Sequence, residues 1–598
     1  MNIETKIPDN KYADLNLSQL LRAAKKHLSC GNIWEAENLY FTILQRYPGN
    51  KIAKVGLSKL KKANPIPNLV PLIEQKRFVE AEKILIANLD RDHQNPNFWK
   101  LLGYVYKESG NRSLSLQSFQ KALELQPNDH DLMFTIGVDF LQSNEIANAF
   151  KLFKILNKVQ PSFSGAYTNI GIIYDKVDKF EKAKAEWLKA IEVNSKDTVA
   201  LTHLGINEIK NFGQHTEALT YFERVSKLEP EDINNCINIA TAYFEMGKVE
   251  EALEIYKHWE DKNWKGATEQ EKLDFRLNYS LALFCTKQTT KAWDNYASRI
   301  HTGGICPTEL HNLSFPMLEQ LEDAFGKKIV ILMEQGIGDQ LFYLGLIKSF
   351  LKKTKTSITI QTEPRLVPLL SHSLPNIRIT TEIEAENIFG DYWLLCGDLG
   401  RILNITEQSA KMCQPYIKTK PDLVNLPEDI FSKEKLNIGL VWRSGLVNGR
   451  RLQNYTKLAD WEPLVDNPKY NFINLQYGDI SADLEELNED SQKNIRIPDI
   501  DLGNDFIALG SIINKCDVVV GPMTAPIVQS MAQGINTFSY GLKGKDRYGF
   551  GRDLLLRKYQ NAWYQNTTHF VFQQHKKDLL VQTITEQLNH LKDNCKGK

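Results

Sequence analysis

A repeat of 34 residues runs through the first half of this 598-residue chain and constrains its fold more than any other feature. Each unit carries a small residue, then an aromatic residue and, in several units, a closing proline. The small positions are Gly103, Gly137, Gly171, Gly205 and Ala240, the aromatic ones Phe119, Phe153, Trp187, Phe222 and Tyr256, and the prolines Pro127, Pro161 and Pro230. The unit with Gly205 is one residue longer than the others. Because proline ends a helix and a small residue lets two helices approach closely, the period predicts a packed helix pair in every unit.

These units resemble the tetratricopeptide repeat, residue class by residue class. An earlier unit contains Ala24 and Tyr40, and a less regular last unit contains Trp293 and Tyr296. The segment 63–67 interrupts the array, and we expect a shortened first helix in the unit after it. The sequence therefore predicts an α-solenoid over residues 1–305, with its aromatic residues mainly in the inter-helix core and a protein or peptide bound on its concave face.

Charge and composition narrow the class of protein. Lysine plus arginine and aspartate plus glutamate both number 73, so the formal net charge is zero, which argues against nucleic acid or an anionic membrane as the main partner. The amino terminus lacks the charged and apolar regions of a secretory signal, and no apolar run approaches the roughly 18–20 residues that span a bilayer. The eight cysteines include no C-x-x-C pair, so we expect reduced thiols and neither zinc nor disulfides. These features predict a cytoplasmic protein without a transmembrane segment.

From about residue 327, short β-rich runs alternate with helical stretches, which is typical of βαβ units. The predicted strands of a first unit span 329–333, 357–361, 377–380 and 392–395, and its first helix spans 339–352. A linker at 420–427 precedes a second unit, with predicted strands at 438–442, 472–476, 495–497, 518–520 and 536–540 and helices at 461–466, 482–488, 506–515, 525–533 and 577–592. We therefore predict two Rossmann-like domains, at 320–425 and 430–598, with a ligand cleft at the carboxyl ends of their strands.

The turn after the first of these strands reads Glu334-Gln335-Gly336-Ile337-Gly338-Asp339. Its glycines permit a tight turn and a close approach of the backbone to a ligand. Asp339 lies at the start of a predicted helix, where it either caps backbone N–H groups or acts as a base. The third glycine and the acidic residue of a nicotinamide site are missing, so we expect no dinucleotide cofactor.

Basic and polar residues follow the first predicted strand of the second unit. Arg443, Ser444 and Gly445, with Arg450 and Arg451 beyond them, suit a phosphate through backbone N–H groups, a hydroxyl and guanidinium groups. The alternative is a solvated loop.

Three further segments of the second unit lie at strand ends. Gln476 and Tyr477 end the next predicted strand, and Thr524 and Ala525 begin a helix whose free N–H groups suit an anion. The glycine-rich basic segment 543–552, which includes Arg547, either closes over a nucleotide diphosphate or is a solvated turn.

Together, the segments 334–339, 441–445, 474–479 and 521–526 are similar to GT-B glycosyltransferases, and most of all to the heptosyltransferase family (glycosyltransferase family 9). The fusion to tetratricopeptide repeats gives a layout similar to that of O-GlcNAc transferase. The resemblance implies an α plus α/β protein, with a repeat solenoid followed by a GT-B region. It also implies inverting, metal-independent transfer from a nucleotide-sugar co-substrate, without another cofactor, to an acceptor selected by the repeats.

The resemblance also assigns roles. Asp339 corresponds to the proposed general base of the family, and the donor phosphates are expected at Arg443 and Ser444. The family motif D-T-A/G-x-x-H matches Thr524 and Ala525, whereas its aspartate and histidine are replaced by Met523 and Val528. The predicted substrate-binding set is Gln335, Gly336, Gly338, Arg443, Ser444, Gly445, Arg451, Gln476, Tyr477, Thr524, Ala525 and Arg547, with no metal ligand.

A second hypothesis accounts for the missing aspartate and histidine. In it, the GT-B half has lost catalysis and the chain is a repeat-based protein-binding scaffold.

Overall fold

The computed structural model describes residues 15–29, 33–63, 69–90, 92–260, 262, 264, 266–286, 288–301, 313–381, 389–406, 413–419, 428–445, 455–542, 556–557, 560–561, 564–572 and 576–595. The chain separates into two compact units, Met1–Asp197 and Thr198–Lys598. That division falls inside the repeat array, and the three domain ranges expected from the sequence stay a prediction.

Helix pairs build the repeats, as the 34-residue period predicts, and the amino-terminal part of the chain is a helical solenoid. The helices of the first compact unit are Leu17–Ser29, Ile33–Arg46, Lys51–Ala63, Leu69–Glu74, Phe78–Leu89, Pro96–Glu108, Arg112–Leu125, His130–Gln142, Ile146–Val159, Ser164–Lys176 and Phe180–Val193. The repeat helices of the second are Thr198–Asn207, His215–Leu228, Ile233–Glu245, Val249–Glu260, Glu269–Phe284 and Thr289–Tyr296. The six-residue helix Leu69–Glu74 is the shortened first helix expected after the interruption.

The small and aromatic positions of each repeat pack against each other. A Cβ atom built on Gly103 would lie 2.4 Å from Cδ1 of Phe119, and Gly137, Gly171 and Gly205 meet their aromatic partners in the same way. Phe119 also shares a buried cluster with Leu132 and Ile136 of the next unit. The aromatic residue therefore joins the two helices of its own unit and connects them to the following unit.

The extra residue of the unit with Gly205 is accommodated in a π-helix. This π-helix, Glu208–Phe212, continues the helix Thr198–Asn207 and ends at Gly213, whose φ is 69°. Because a π-turn holds one more residue than an α-turn, the repeat keeps its packing despite its greater length.

Two parallel sheets follow the repeats in the second compact unit. The first contains β1 (Lys328–Leu332), β2 (Ser357–Gln361), β3 (Arg378–Thr380) and β4 (Tyr392–Leu395), in the order β3-β2-β1-β4. The second contains β5 (Leu436–Leu440), β6 (Tyr470–Asn474), β7 (Ile495–Arg496), β8 (Val518–Pro522), β9 (Thr537–Leu542) and β12 (Thr567–Phe572), in the order β12-β9-β8-β5-β6-β7. A short antiparallel pair, β10 (Leu556–Arg557) and β11 (Gln560–Asn561), lies between β9 and β12 in the chain.

The helices of the sheet regions alternate with these strands. They are Ile337–Tyr343, Ile347–Thr354, Val367–Ser373, Leu399–Ile402, Glu462–Val465, Ser481–Glu485, Glu489–Lys493, Phe506–Lys515, Ala525–Gln533 and Lys577–Cys595. Every residue of β5, β6 and β8 is buried, as expected for parallel strands covered on both faces.

The sequence placed most of the predicted elements within two residues, one predicted helix was wrong, and several elements were not predicted. The expected helix 339–352 is divided by a 3-10 turn, Leu344–Leu346, into Ile337–Tyr343 and Ile347–Thr354. The strand Thr567–Phe572 was not predicted, because its register is defined by pairing with β9, about 30 residues earlier in the chain.

Within the described residues, no helix combines the length and the apolar character needed to cross a bilayer.

Candidate functional site

The turn that follows β1 forms a tight entry into the helix Ile337–Tyr343. Gln335 has a φ of 62° and Gly336 occupies the N-cap position in an extended conformation. Asp339 is thus the third residue of the helix and not its N-cap, and its side chain is partly buried. The carboxylate lies near the turn, because a Cβ atom built on Gly336 would be 3.6 Å from Asp339 Oδ2.

Glu334, the first residue of this motif, is buried in an ion pair with the end of the repeats. Arg299 Nη2 donates to Glu334 Oε1 at 2.7 Å, and Arg299 Nε donates to Oε2 at 3.1 Å. Neither side chain is exposed to solvent. The Gly397 N–H donates to Glu334 at 3.0 Å. Burial raises the pKa of the Glu334 carboxyl, while the Arg299 guanidinium opposes that rise. Glu334 therefore has a structural partner and is not available to a ligand.

A second acid shares the Arg299 guanidinium. Arg299 Nη1 donates to Asp398 Oδ1 at 2.9 Å, and Arg401 Nε lies 3.7 Å from the same oxygen. Two cations and two carboxylates thus form one network between the 3-10 helix Ala297–His301, the end of β1 and the segment after β4. Arg401 also lies 3.2 Å from the exposed Glu319 carboxylate, so within this network the two arginines compensate the two buried carboxylates.

Tyr296 connects the last repeat to the same turn. Gln335 Nε2 donates to the Tyr296 hydroxyl oxygen at 2.8 Å. The Tyr343 side chain also hydrogen-bonds to Tyr296, and the charge of Asp339 acts on Tyr343. Burial, with added contributions from Tyr296 and Asp339, raises the pKa of Tyr343 well above its ordinary value, so this phenol stays protonated. A chain of polar groups therefore leads from the repeats to Asp339.

The first glycine turn meets the start of another helix, Ala525–Gln533. A Cβ atom built on Gly338 would lie 3.5 Å from the Ala525 nitrogen and 3.7 Å from the Thr524 carbonyl carbon. Thr524 is the N-cap of that helix, and its hydroxyl donates to the Pro522 carbonyl at 3.1 Å instead of capping the helix. Two motifs that are 186 residues apart in the sequence are thus in contact.

The other predicted donor residues lie along the same edge of the second sheet. Because β8, β5 and β6 are parallel neighbours, the residues after them, Thr524, Arg443 and Gln476, leave the sheet at one edge. The Gln476 side chain accepts from the backbone N–H groups of Trp442 at 3.3 Å and of Arg443 at 3.0 Å. Gln476 is 1% exposed, so it fixes the two strand ends to each other.

Arg443 is held by acidic and carbonyl groups of the next loop. Its Nη2 atom donates to Asp483 Oδ2 at 2.6 Å and to the Asp479 carbonyl at 2.8 Å. This ion pair anchors the start of the helix Ser481–Glu485 to the end of β5. The guanidinium thus has protein partners, and direct contact with a phosphate requires it to exchange at least one of them.

Ser444, Gly445 and Tyr477 form a small hydroxyl-rich surface beside Arg443. The Gly445 N–H donates to the Tyr477 hydroxyl at 3.0 Å, and the Ser444 hydroxyl lies 3.3 Å from the same oxygen. A Cβ atom built on Gly445 would be 2.6 Å from the Tyr477 ring, which explains why glycine is needed there. Arg451 and Arg547, together with Arg450, lie outside the described residues.

The sequence did not indicate that the two sheet regions also touch through Arg365. Its Nη1 atom donates to the Gly503 carbonyl at 3.1 Å and to Asn504 Oδ1 at 3.4 Å. Asp501 accepts from the Gly503 N–H and the Asn504 side chain, and these hydrogen bonds lower the pKa of its carboxyl. Nothing in the local sequence marks Arg365, since its partners are 138 and 139 residues away. Within the described ranges, no group of three or more histidine, cysteine or acidic residues is arranged to hold a metal ion.

Comparisons with known proteins agree with the repeats. Tetratricopeptide repeat profiles match residues 97–129, 164–197 and 212–263, so the chain contains tetratricopeptide repeats. Protein FlbA of Caulobacter vibrioides is 22% identical over 536 residues, which are 86% of this chain and 87% of FlbA. Protein O-mannosyl-transferase TMTC3 of Homo sapiens is 23% identical over 288 residues, or 40% of this chain and 30% of TMTC3. The solved structure of Pseudomonas aeruginosa pilF matches 35% of this chain and 91% of its own, with 13% identity and a TM-score of 0.30.

Proposed function

We propose that this protein is a GT-B glycosyltransferase that moves a sugar from a nucleotide-sugar donor to an acceptor selected by its repeats. The contact of Gly338 with Thr524 and Ala525 carries this proposal, because it joins the two strand-end turns in one place. Ligands of parallel α/β sheets bind outside the carboxyl ends of the strands, which is where both turns lie. The partial match to an O-mannosyl-transferase favours sugar transfer as the reaction class.

In the proposed reaction, the Asp339 carboxylate removes the proton from an acceptor hydroxyl while that oxygen attacks the anomeric carbon. The bond from the anomeric carbon to the diphosphate oxygen breaks, and the configuration at the anomeric carbon is inverted. The negative charge that develops on the diphosphate is stabilised by the N-terminus of the helix Ala525–Gln533 and by the Ser444 hydroxyl. No metal is required in this scheme, and the donor is a co-substrate.

The remaining predicted contacts belong to the same proposal. Gln335, Gly336 and Gly338 form the acceptor side, and Arg443, Gln476 and Tyr477 support the donor side, with Arg451 and Arg547 assigned to the donor from the sequence alone. Tyr296 and Arg299 are positioning residues, because they act on Asp339 through Tyr343 and on the turn through Gln335 and Glu334. We propose a cytoplasmic location, a protein or peptide partner on the repeats and no nucleic-acid partner.

A catalytically inactive scaffold is the second candidate, and one observation favours it. Met523 and Val528 replace the acid and the histidine of the family motif, and Val528 is fully buried in the core. A buried valine cannot donate to a diphosphate, so one donor contact of the family is absent.

Thermal unfolding with a panel of UDP-, GDP- and ADP-sugars tests the proposed site. We expect one donor class to raise the melting temperature of both the wild type and Asp339→Asn, since the aspartate acts on the acceptor and not on the donor. A panel that stabilises neither protein would contradict the proposal. Stabilisation of the wild type without donor turnover would favour the scaffold.

A further inference from the structure

A groove with a volume of about 590 Å³ lies in the repeat helices of the second compact unit. It is lined by the end of the helix His215–Leu228 and by the helices Ile233–Glu245 and Val249–Glu260. All of its lining residues fall within 212–263, the segment that a tetratricopeptide repeat profile matches. We refer to it below as the repeat groove.

Part of the repeat groove is apolar. Ile239, Tyr243, Ile255 and Trp259 line it, and each is partly buried, so one side of these side chains faces the groove while the other packs on the core. Aromatic rings that keep some exposure are typical of surfaces that receive a partner's side chain.

The remaining lining is acidic. Glu229, Asp232, Glu251 and Glu254 contribute four negative charges against the single lysine Lys262, so the groove carries a formal charge of −3 with histidine neutral, whereas the whole chain is neutral. Lys262 does not neutralise the remaining acids of the groove, because its ammonium lies 4.2 Å from the centre of the Trp259 ring and 3.6 Å from Glu231.

The four acids differ in how far they are already engaged. Glu229 accepts from the Thr198 hydroxyl, and Asp232 caps its helix by accepting from the Asn234 N–H. Glu251 and Glu254 are exposed, and within the described part of the chain neither side-chain carboxylate has a hydrogen bond or an ion pair. They are three residues apart on one helix and therefore point to the same side.

This arrangement of acidic side chains favours a bound cation. Burial raises the pKa of Asp232, and the negative charges of Glu229 and Glu271 add to that rise. A positive group placed among these acids would relieve their mutual repulsion.

We propose that the repeat groove binds a segment of a partner protein that carries lysine or arginine residues beside an aliphatic or aromatic side chain. The cationic groups pair with Glu251 and Glu254, and the apolar side chain packs on Tyr243 and Trp259. The binding itself is independent of the chemistry at Asp339. The bound protein is also the proposed sugar acceptor, and this second part of the proposal rests on the proposed function.

Fluorescence anisotropy with the full-length protein tests the groove. The probes are two fluorescein-labelled twelve-residue peptides with the same leucine and tryptophan residues, one with three lysines and the other with three glutamates in their place. The variant is Glu251→Gln combined with Glu254→Gln. The matched control is Glu250→Gln, an exposed acid of the same helix that does not line the groove.

We expect the lysine peptide to bind the wild type and the control equally, and to bind the double variant roughly 2- to 30-fold more weakly, as expected for two exposed ion pairs. Equal binding of the glutamate peptide, no binding of either peptide, or an unchanged affinity of the double variant would overturn the proposal. Nucleotide-sugar stabilisation measured on the same samples separates the two proposals: peptide binding without it supports the groove and contradicts the enzyme.

Discussion

Arg299 and Glu334 form a bidentate ion pair that is closed to solvent, with N–O distances of 2.7 and 3.1 Å. Arg299 ends the repeats and Glu334 begins the turn that leads to Asp339, so the pair connects the part of the chain expected to select a partner with the part expected to do chemistry. One continuous core supports this link, since it includes Tyr296 of the last repeat, Ile331 of β1 and Val528 near the second turn.

Loss of Arg299 is expected to be costly. Replacement Arg299→Met leaves Glu334 and Asp398 buried without their shared cation, which should lower the free energy of unfolding by about 3–5 kcal/mol. Urea denaturation measures this difference. The exposed Arg276→Met is the control and should change stability by less than about 0.5 kcal/mol. Equal effects of the two variants would show that the buried pair adds nothing.

The glycines of the repeats should not tolerate a methyl group. In Gly137→Ala the new Cβ would lie 2.6 Å from Phe153, so the two helices must separate, at a cost of about 1–3 kcal/mol. Gly49→Ala is a matched control, because nothing lies within 4 Å of its Cβ position. Thermal unfolding of the two variants would contradict this packing if Gly137→Ala melted at the temperature of Gly49→Ala.

The contact between the two turns predicts a size limit at Gly338. A Cβ atom there meets Ala525 and Thr524 at 3.5–3.7 Å, an ordinary contact, so Gly338→Ala should keep its donor affinity within about twofold. Gly338→Leu places further atoms against the start of the helix Ala525–Gln533 and should weaken donor binding at least about tenfold. Calorimetric titration with the stabilising donor measures both. A leucine variant with unchanged affinity would place the donor elsewhere.

The hydrogen bonds at Asp501 predict a contribution to folding stability that depends on pH in the acid range. Hydrogen bonds from Asn504 and Gly503 lower the pKa of this carboxyl in the folded state. Its contribution to stability is therefore present above the unfolded pKa of about 3.9 and is lost as the pH falls through the lower folded value. The advantage of the wild type over Asp501→Asn in urea unfolding should shrink between pH 5 and pH 3. An advantage that grows over this range would contradict the assignment.

Elements with local signals could be predicted from the sequence. The repeat period fixed the glycine–aromatic pairs, and the helices Phe506–Lys515 and Ala525–Gln533 were predicted with their observed bounds, because each has a clear start and a strongly apolar face. Thr524 was likewise expected at the start of its helix. These features depend on residues that are close in the chain.

The partners of the candidate site could not be predicted, because they are distant in sequence. Glu334 stands in a glycine turn that was expected to approach a ligand, and its partner Arg299 comes from the last repeat. Trp293 was assigned to the inter-helix core, and its indole N–H donates to the Ile405 carbonyl, 112 residues later. Arg443 was expected to face a phosphate, and the structure shows that it is paired with Asp483. Sequence patterns show which side chains are polar, whereas tertiary structure decides which of them are already paired.

The central claim is tested most directly by donor turnover. It is measured for the wild type and for Asp339→Asn with the nucleotide sugar that stabilises the protein. We expect the wild type to release the nucleotide diphosphate as the sugar is transferred to water, the acceptor in this assay. Asp339→Asn should bind the donor equally well while its kcat falls by about 100-fold or more, because the general base that takes the proton is lost. Turnover by Asp339→Asn at the wild-type rate would contradict the role of Asp339, and with it the account of this turn as a catalytic site.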